Sequence, residues 1–366
     1  MVRPLRPDRS LTLIIGLWDL AVKKTRIAVV GLGMAVTPHA KGLLDLADMV
    51  EVAYAYAPSA ARREAFSQRF PFPTCDSLEA ILNDASVEAV AIFSPANTHL
   101  DIARRCAAAG KHVLLEKPVE ITTTRAEATV AACREAGVTL GIVLQHRFRP
   151  AGMRLSEVIR AGELGRIIGT STVIRLWRPQ SYYDEAGRGS FVRDGGGVLL
   201  SQGIHTLDLM LSLAGPIAEV TGFATTTPVH RMETEDMVCA AARFANGAFG
   251  TIDATTAAYP GFLERIEIIG ERGSATIAGT ELLVQFQDGR KIAIEPDGSA
   301  GGTGADPMAY PHDHHRAVMA DFIEAIQNGR EPKVTGEEAL KVHRLIDALI
   351  ETGKVGRPVA VRRGEA

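Results

Sequence analysis

Between Arg26 and Leu144 the chain alternates short, continuous apolar runs with stretches spaced for helix, and few folds accept that alternation. Ile27-Ala28-Val29-Val30 leads through Gly31-Leu32-Gly33 into helical spacing that runs to about Leu46. A second run covers 51–56, a helical stretch 60–70 and a short helix 78–82. Residues 89–93 form a third run ending at Ser94-Pro95, and 99–109 is helical up to Gly110, a stop signal. The run before Glu116, a helix to Ala136-Gly137 and a last run at 140–144 complete the series. Strands apolar on both faces must be covered on both faces. The expected architecture is therefore α/β, a parallel doubly wound sheet with helices on either side.

After Pro150 the pattern changes. One helix, 153–161, precedes runs rich in Thr, Val and Ile at 167–176, 219–226, 237–244, 248–256, 265–269 and 274–277. Asn246-Gly247 and Glu271-Arg272-Gly273 supply hairpin turns between the later runs, and a helix at 204–213 interrupts the series. This predicts an α+β domain with a mostly antiparallel open sheet over about 145–300. Residues 298–307 are glycine-rich and read as a mobile loop. Helices at 315–327 and 337–351 carry apolar faces and are expected to pack back on the body. A length of 366 residues suits roughly two domains. The expected division is a flexible extension over 1–23, a dinucleotide-binding Rossmann domain over 24–144, and a substrate and oligomerisation domain over 145–366. Within the last, the terminal helices occupy 313–351.

Composition narrows the function classes. A net charge of -3 argues against a nucleic-acid partner, which would demand a basic face. The four cysteines, Cys75, Cys106, Cys133 and Cys239, form no pair motif. Cys106 and Cys133 fall in alanine-rich helical stretches, the setting of buried free thiols, which suits a reducing compartment. Arg3, Arg6 and Arg9 precede an apolar run at 11–18, but Asp19 cuts it short and no cleavage pattern follows before Lys23-Lys24. That run is far below the ~20 residues of a membrane span. A cytoplasmic protein with no membrane partner is expected.

Three stretches carry chemistry. Glu116-Lys117-Pro118 stands where a buried strand ends, which places the lysine at the edge of a cleft. Gly31, Leu32, Gly33 and Met34 form a strand-to-helix turn where backbone amides can approach a pyrophosphate, although Val36 replaces the third glycine of the usual fingerprint. The second strand ends in Tyr56-Ala57-Pro58-Ser59 without the acidic residue that would bind an NAD ribose. Ser59, Arg62 and Arg63 suit a 2′-phosphate, so NADP is the preferred cofactor and NAD the second choice. The third stretch runs from Gly195 to Asp208. Three glycines there permit a close backbone approach, and His205 and Asp208 share a helix face, where a carboxylate would tune the histidine toward neutrality.

Together these motifs resemble the glucose–fructose oxidoreductase, inositol dehydrogenase and MocA family of nicotinamide-dependent sugar oxidoreductases. The carriers are Gly31-Leu32-Gly33, Ser94-Pro95-Ala96-Asn97-Thr98-His99, Glu116-Lys117-Pro118, Gln145-His146-Arg147-Phe148, the Gly195 to Asp208 stretch and Ala248-Phe249-Gly250. The resemblance implies that Lys117 and His205 are catalytic. It implies that Ser94, Pro95, Asn97, His99 and Glu116 lie beside the cofactor, and Arg147 and Asp208 near substrate. It also implies a homodimer or homotetramer built through the second-domain sheet. Many relatives carry aspartate where this chain has Ser201, whereas some that act on sugar uronates carry a neutral residue there. Ser201 and Tyr183 join the expected substrate contacts, and Arg188 and Arg193 are candidates for an anionic group.

The implied reaction moves a hydride between nicotinamide and a secondary alcohol of a sugar, cyclitol or sugar acid, with His205 as principal base and Lys117 polarising the oxygen. Two alternatives are a non-catalytic dinucleotide-binding regulator and a redox-neutral glycosidase or epimerase-like enzyme. His312-Asp313-His314-His315 reads as a helix start with Asp313 near its N-terminus, and no metal is expected.

Overall fold

The computed structural model describes residues 24–296, 304 and 311–364. The extension at 1–23 lies outside the described residues, as does the glycine-rich stretch 298–307 apart from Gly304. Six parallel strands form the first sheet: β1 (Thr25–Val30), β2 (Val50–Tyr56), β3 (Thr74–Cys75), β4 (Ala89–Ile92), β5 (His112–Leu115) and β6 (Leu140–Ile142). Their order is β3-β2-β1-β4-β5-β6, so the chain reverses direction across the sheet between β1 and β4. In open α/β sheets that switch point forms the ligand crevice. The helices are α1 (Val36–Asp45), α2 (Ala60–Ser67), α3 (Leu78–Asn83), α4 (His99–Ala108) and α5 (Thr123–Glu135). Every residue of β4 is buried, as its unbroken apolar run requires.

Beyond α6 (Pro150–Arg160), β7 (Ile167–Arg175), α7 (Gln180–Tyr183) and α8 (Ile204–Ala214), the chain builds most of the second sheet. The strands are β8 (Ile217–Thr225), β9 (Met237–Phe244), β10 (Phe249–Thr255), β11 (Arg265–Gly270), β12 (Gly273–Ala278), β13 (Glu281–Phe286) and β14 (Lys291–Ile294). With β7 and a closing β15 (Val359–Ala360), their order is β14-β13-β12-β11-β7-β10-β9-β8-β15. All pairs are antiparallel except β7 with β10, as the mostly antiparallel reading anticipated. Three strands of this sheet, β13, β14 and β15, extend it beyond the runs legible in the sequence.

The last two helices, α9 (Asp313–Asn328) and α10 (Gly336–Val355), tie the two sheets together. α10 lies against β8 and α5, while α9 lies against α1. At that second contact Gly42 packs so closely that a Cβ would fall 2.4 Å from Met319. Cys106 and Cys133 are buried free thiols, and burial pushes both up to about 12. Among the described residues no helix is long and apolar enough to cross a membrane.

Candidate active site

The glycine turn between β1 and α1 is built for an anion. Gly31 has φ +100°, and a Cβ on it would fall 2.4 Å from the Ser94 nitrogen, so the turn presses against the end of β4. A Cβ on Gly33 would meet no described atom within 4 Å, which leaves open space where a pyrophosphate needs it. Ala35 caps α1 with no side-chain hydrogen bond and no acidic residue follows in the first turn. Val36 N–H bonds the Gly33 carbonyl at 3.3 Å and Pro38 has none, which leaves the Thr37 N–H of the first turn to an outside acceptor. Met34 is exposed beside this turn and Leu32 is buried beneath it. These residues fit a dinucleotide.

At the end of β2, Ser59 caps α2 by accepting the Arg62 N–H at 3.3 Å. Arg63 donates to the Ala57 and Pro58 carbonyls at 2.7 and 3.2 Å, so its guanidinium is committed to the backbone. Arg62 is exposed and its side chain has no partner among the described residues. Of the two arginines, Arg62 is the one free to meet a phosphate.

Lys117 follows β5 and its peptide bond to Pro118 is cis. Its Nζ donates to the Ser201 carbonyl at 2.8 Å, linking the first sheet to the segment before α8. That segment, Leu199–Gly203, is a π-helical turn, a local widening that recurs at functional sites. Burial lowers the Lys117 pKa; Glu116 opposes this and the Arg178 charge adds to it. His205 opens α8 and is buried, with its ring 4.9 Å from that of His146. Burial, then the Lys117 charge, push His205 well below the ordinary histidine value. Glu116 is buried at the foot of the lysine. Burial alone would raise its pKa, but hydrogen bonding and charge from His39, with help from Lys117, hold it at about 2.

Several expected roles change. Asp208 does not tune His205: both its oxygens accept from Arg147, at 2.8 and 2.6 Å, and Arg147 also reaches Glu338 on α10 at 3.1 Å. With their polar atoms taken by each other and both side chains buried, Arg147 and Asp208 brace the scaffold and leave no charge free for substrate. His99 is likewise a buried tie, its nitrogens 2.9 Å from the Ser94 carbonyl and 3.0 Å from that of Pro118. It joins the loops after β4 and β5 from below. Tyr183 spends its hydroxyl on Thr256 at 2.9 Å and is buried. Its neighbour Tyr182 is half-buried instead, with Arg188 stacked 4.3 Å over its ring and Gln202 3.5 Å from its hydroxyl. Arg188 and Arg193 both pair with Glu185, so neither is a free anion receptor.

The remaining expected positions cluster at the switch point. Ser94 bonds Thr98 at 2.7 Å, Pro95 is exposed, and Asn97 donates to the Val192 carbonyl at 3.3 Å. Ser201 turns its hydroxyl to the Gly196 carbonyl at 3.2 Å. The glycine triplet makes the close approach expected of it: a Cβ on Gly195 would fall 2.3 Å from the Ile121 carbonyl, and one on Gly197 1.7 Å from that of Glu235.

Sequence reasoning missed His39 and His315. His39 lies on the buried face of α1 with Val36, Ala40 and Leu43, and that spacing was the available signal. His315 is on α9, which begins at Asp313 as expected, with His312 paired to Asp45 at 2.7 Å. With Glu116, these two histidines place ligand-type atoms within 4.8 Å of one another, an arrangement the metal-free reading did not foresee.

Sheet order, switch point and open glycine turn define a dinucleotide-binding protein of the Rossmann class. Residues 25–143 match the family described as oxidoreductases with an NAD-binding Rossmann fold, and 153–276 match the C-terminal domain of the same GFO/IDH/MocA family. The chain belongs to the GFO/IDH/MocA oxidoreductase family. It is 27% identical to D-xylose 1-dehydrogenase (NADP(+)) 2 of Haloferax volcanii, over 82% of this chain and 88% of that one. It is 26% identical to scyllo-inositol 2-dehydrogenase (NAD(+)) of Bacillus subtilis, over 86% and 90%. The WlbA dehydrogenase of Bordetella pertussis, solved with NADH and UDP-GlcNAcA, superposes with a TM-score of 0.81 at 27% identity, covering 93% of this chain and 100% of that one.

Proposed function

We propose that this oxidoreductase transfers a hydride between a nicotinamide cofactor and a secondary alcohol of a sugar, cyclitol or sugar acid. The observation that carries the reading is the pairing of Lys117 with the segment that leads into His205, through the 2.8 Å bond from its Nζ to the Ser201 carbonyl. The bound nicotinamide supplies the hydride acceptor in the oxidative direction. His205, held deprotonated by burial and by the Lys117 charge, accepts the hydroxyl proton as the carbinol C–H bond breaks and the carbonyl forms. Lys117 donates a hydrogen bond to the substrate oxygen, where negative charge develops. Neighbours named for substrates as different as D-xylose, scyllo-inositol and UDP-GlcNAcA support the substrate class.

The cofactor-binding residues of this reading are Gly31, Leu32, Gly33, Met34, Ser59, Arg62, Ser94, Pro95 and Asn97, with Glu116 behind Lys117. NADP is the preferred form, because the β2 end offers an exposed, uncommitted Arg62 and no carboxylate. The free thiols favour the cytoplasm. A second copy of the chain covers the outer face of the large sheet, where Phe223 and Phe249 are 78% and 66% exposed.

The test is a panel of sugars, cyclitols and sugar acids read by nicotinamide absorbance with each cofactor. The expected result is turnover on at least one panel member, faster with NADP than with NAD at equal low concentration. No absorbance change across the panel, with the nucleotide bound, would sink the reading.

A further inference from the structure

Glu116 is gripped on both oxygens. Oε1 lies 2.8 Å from His39 Nε2, and Oε2 accepts the backbone N–H of Lys117 at 2.8 Å. An ionised carboxylate can only accept, so the His39 ring carries a proton on Nε2. That ring is 0% exposed. It stacks on Phe93 at 3.8 Å and 10°, and meets the edge of His315 at 5.0 Å. Its Nδ1 is buried without a hydrogen-bond partner. A fully buried imidazole is costly in an apolar helix face unless its polar atoms are used, and here the one used nitrogen points at Glu116.

We infer that His39 is a positioning residue for the reaction centre: by holding Oε1 of Glu116 it leaves Oε2 to fix the Lys117 backbone, and with it the path of the lysine side chain to Ser201. The inference rests on the reading of Lys117 as a catalytic residue. His39 itself touches neither Lys117 Nζ nor Ser201; it acts through Glu116. Three elements converge on the carboxylate: α1 through His39, the end of β5 through Lys117, and α9 through His315. The charged or titratable groups bearing on it are His39, Lys117, His315 and, from α4, His99. Burial lowers His315 to about 3, so it faces Glu116 as a neutral ring. A buried carboxylate stripped of its donor would take up a proton and release the lysine backbone.

The experiment compares His39→Leu, His39→Gln and Lys117→Met in the full chain, on the best substrate of the panel, across pH. A glutamine amide can present a donor near the position of Nε2, and leucine cannot. For His39→Leu we expect kcat to fall about 10- to 100-fold, the scale of a small misplacement at a reaction centre, with substrate KM nearly unchanged. We also expect the acid limb of kcat to move to higher pH, and His39→Gln to recover most of both effects. Wild-type kcat in His39→Leu would overturn the inference. So would a uniform loss at every pH that glutamine does not rescue. A divalent ion retained at one per chain through dialysis would also overturn it, since His39, Glu116 and His315 would then be ligands. Should His39→Leu fail to fold, Glu116→Gln carries the test: the same fall in kcat is expected, and full turnover contradicts it. Lys117→Met separates the two levels, because full activity there refutes the catalytic lysine whatever His39 does.

Discussion

Lys117 is held by a backbone carbonyl, and what a carboxylate side chain in its place would change is measurable. Its ammonium meets the Ser201 carbonyl, and the Glu116 and Asp194 charges only partly offset the effect of burial, which lowers its pKa. In the proposed reaction the charged lysine is the active form, and activity is lost as pH rises through its pKa. Ser201→Asp adds an anion that favours the charged form, so the alkaline limb of kcat should move up by about one pH unit. A pH–rate profile of the variant checks this, and an unmoved limb would contradict it. The acid limb has the opposite sign. His205 must be deprotonated to receive a proton, and its lowered pKa keeps it so to below the ordinary histidine range. The sequence made Lys117 and His205 legible because each ends or begins an element whose pattern is plain. It did not make the Arg147–Asp208 or His39–Glu116 pairs legible. Those partners stand 61 and 77 residues apart, and residue type alone does not say which charges cancel.

At the scale of elements, the approach to His205 is set by backbone contact. Gly197 lies so close to the Glu235 carbonyl that a Cβ would fall at 1.7 Å, while the Glu235 carboxylate accepts the N–H groups of Gly197 and Leu199 at 2.9 and 3.1 Å. Gly197→Ala must therefore displace backbone, and should cost about 1–3 kcal/mol of stability, the range of overpacked cores. Denaturant unfolding of the variant checks it; a loss under about 0.5 kcal/mol, the size of an ordinary surface change, would contradict the packing described. The triplet's need for close approach was visible in its glycines. The π-helical turn that follows it was not, since the apolar spacing marks a helix only from 204, past Leu199–Gly203. Strand β3 has two residues and β15 two, too short for any periodicity. In β13 the half-buried Leu283 sits between buried Leu282 and Val284, which blurs the alternation a hairpin strand should show.

Across the whole molecule, the two sheets are bound by the C-terminal helices, and the large sheet is left with one bare face. Phe223 pairs in register with Cys239 and Cys239 with Asp253, and Phe249 stands four residues from Asp253 on β10, so their side chains share that face. Phe223→Glu with Phe249→Glu should lower the oligomeric state seen by light scattering after size exclusion, and an unchanged mass would contradict a sheet-mediated assembly. The central claim remains the catalytic pairing of Lys117 with His205 over a nicotinamide. Its most direct test is single-substrate turnover of Lys117→Met beside the wild type, with nucleotide binding measured on both. Bound nucleotide is expected in each, with a fall in kcat of at least about 10²-fold in the variant, the scale of a lost donor to a developing oxyanion. Lys117→Met turning over at the wild-type rate would contradict it.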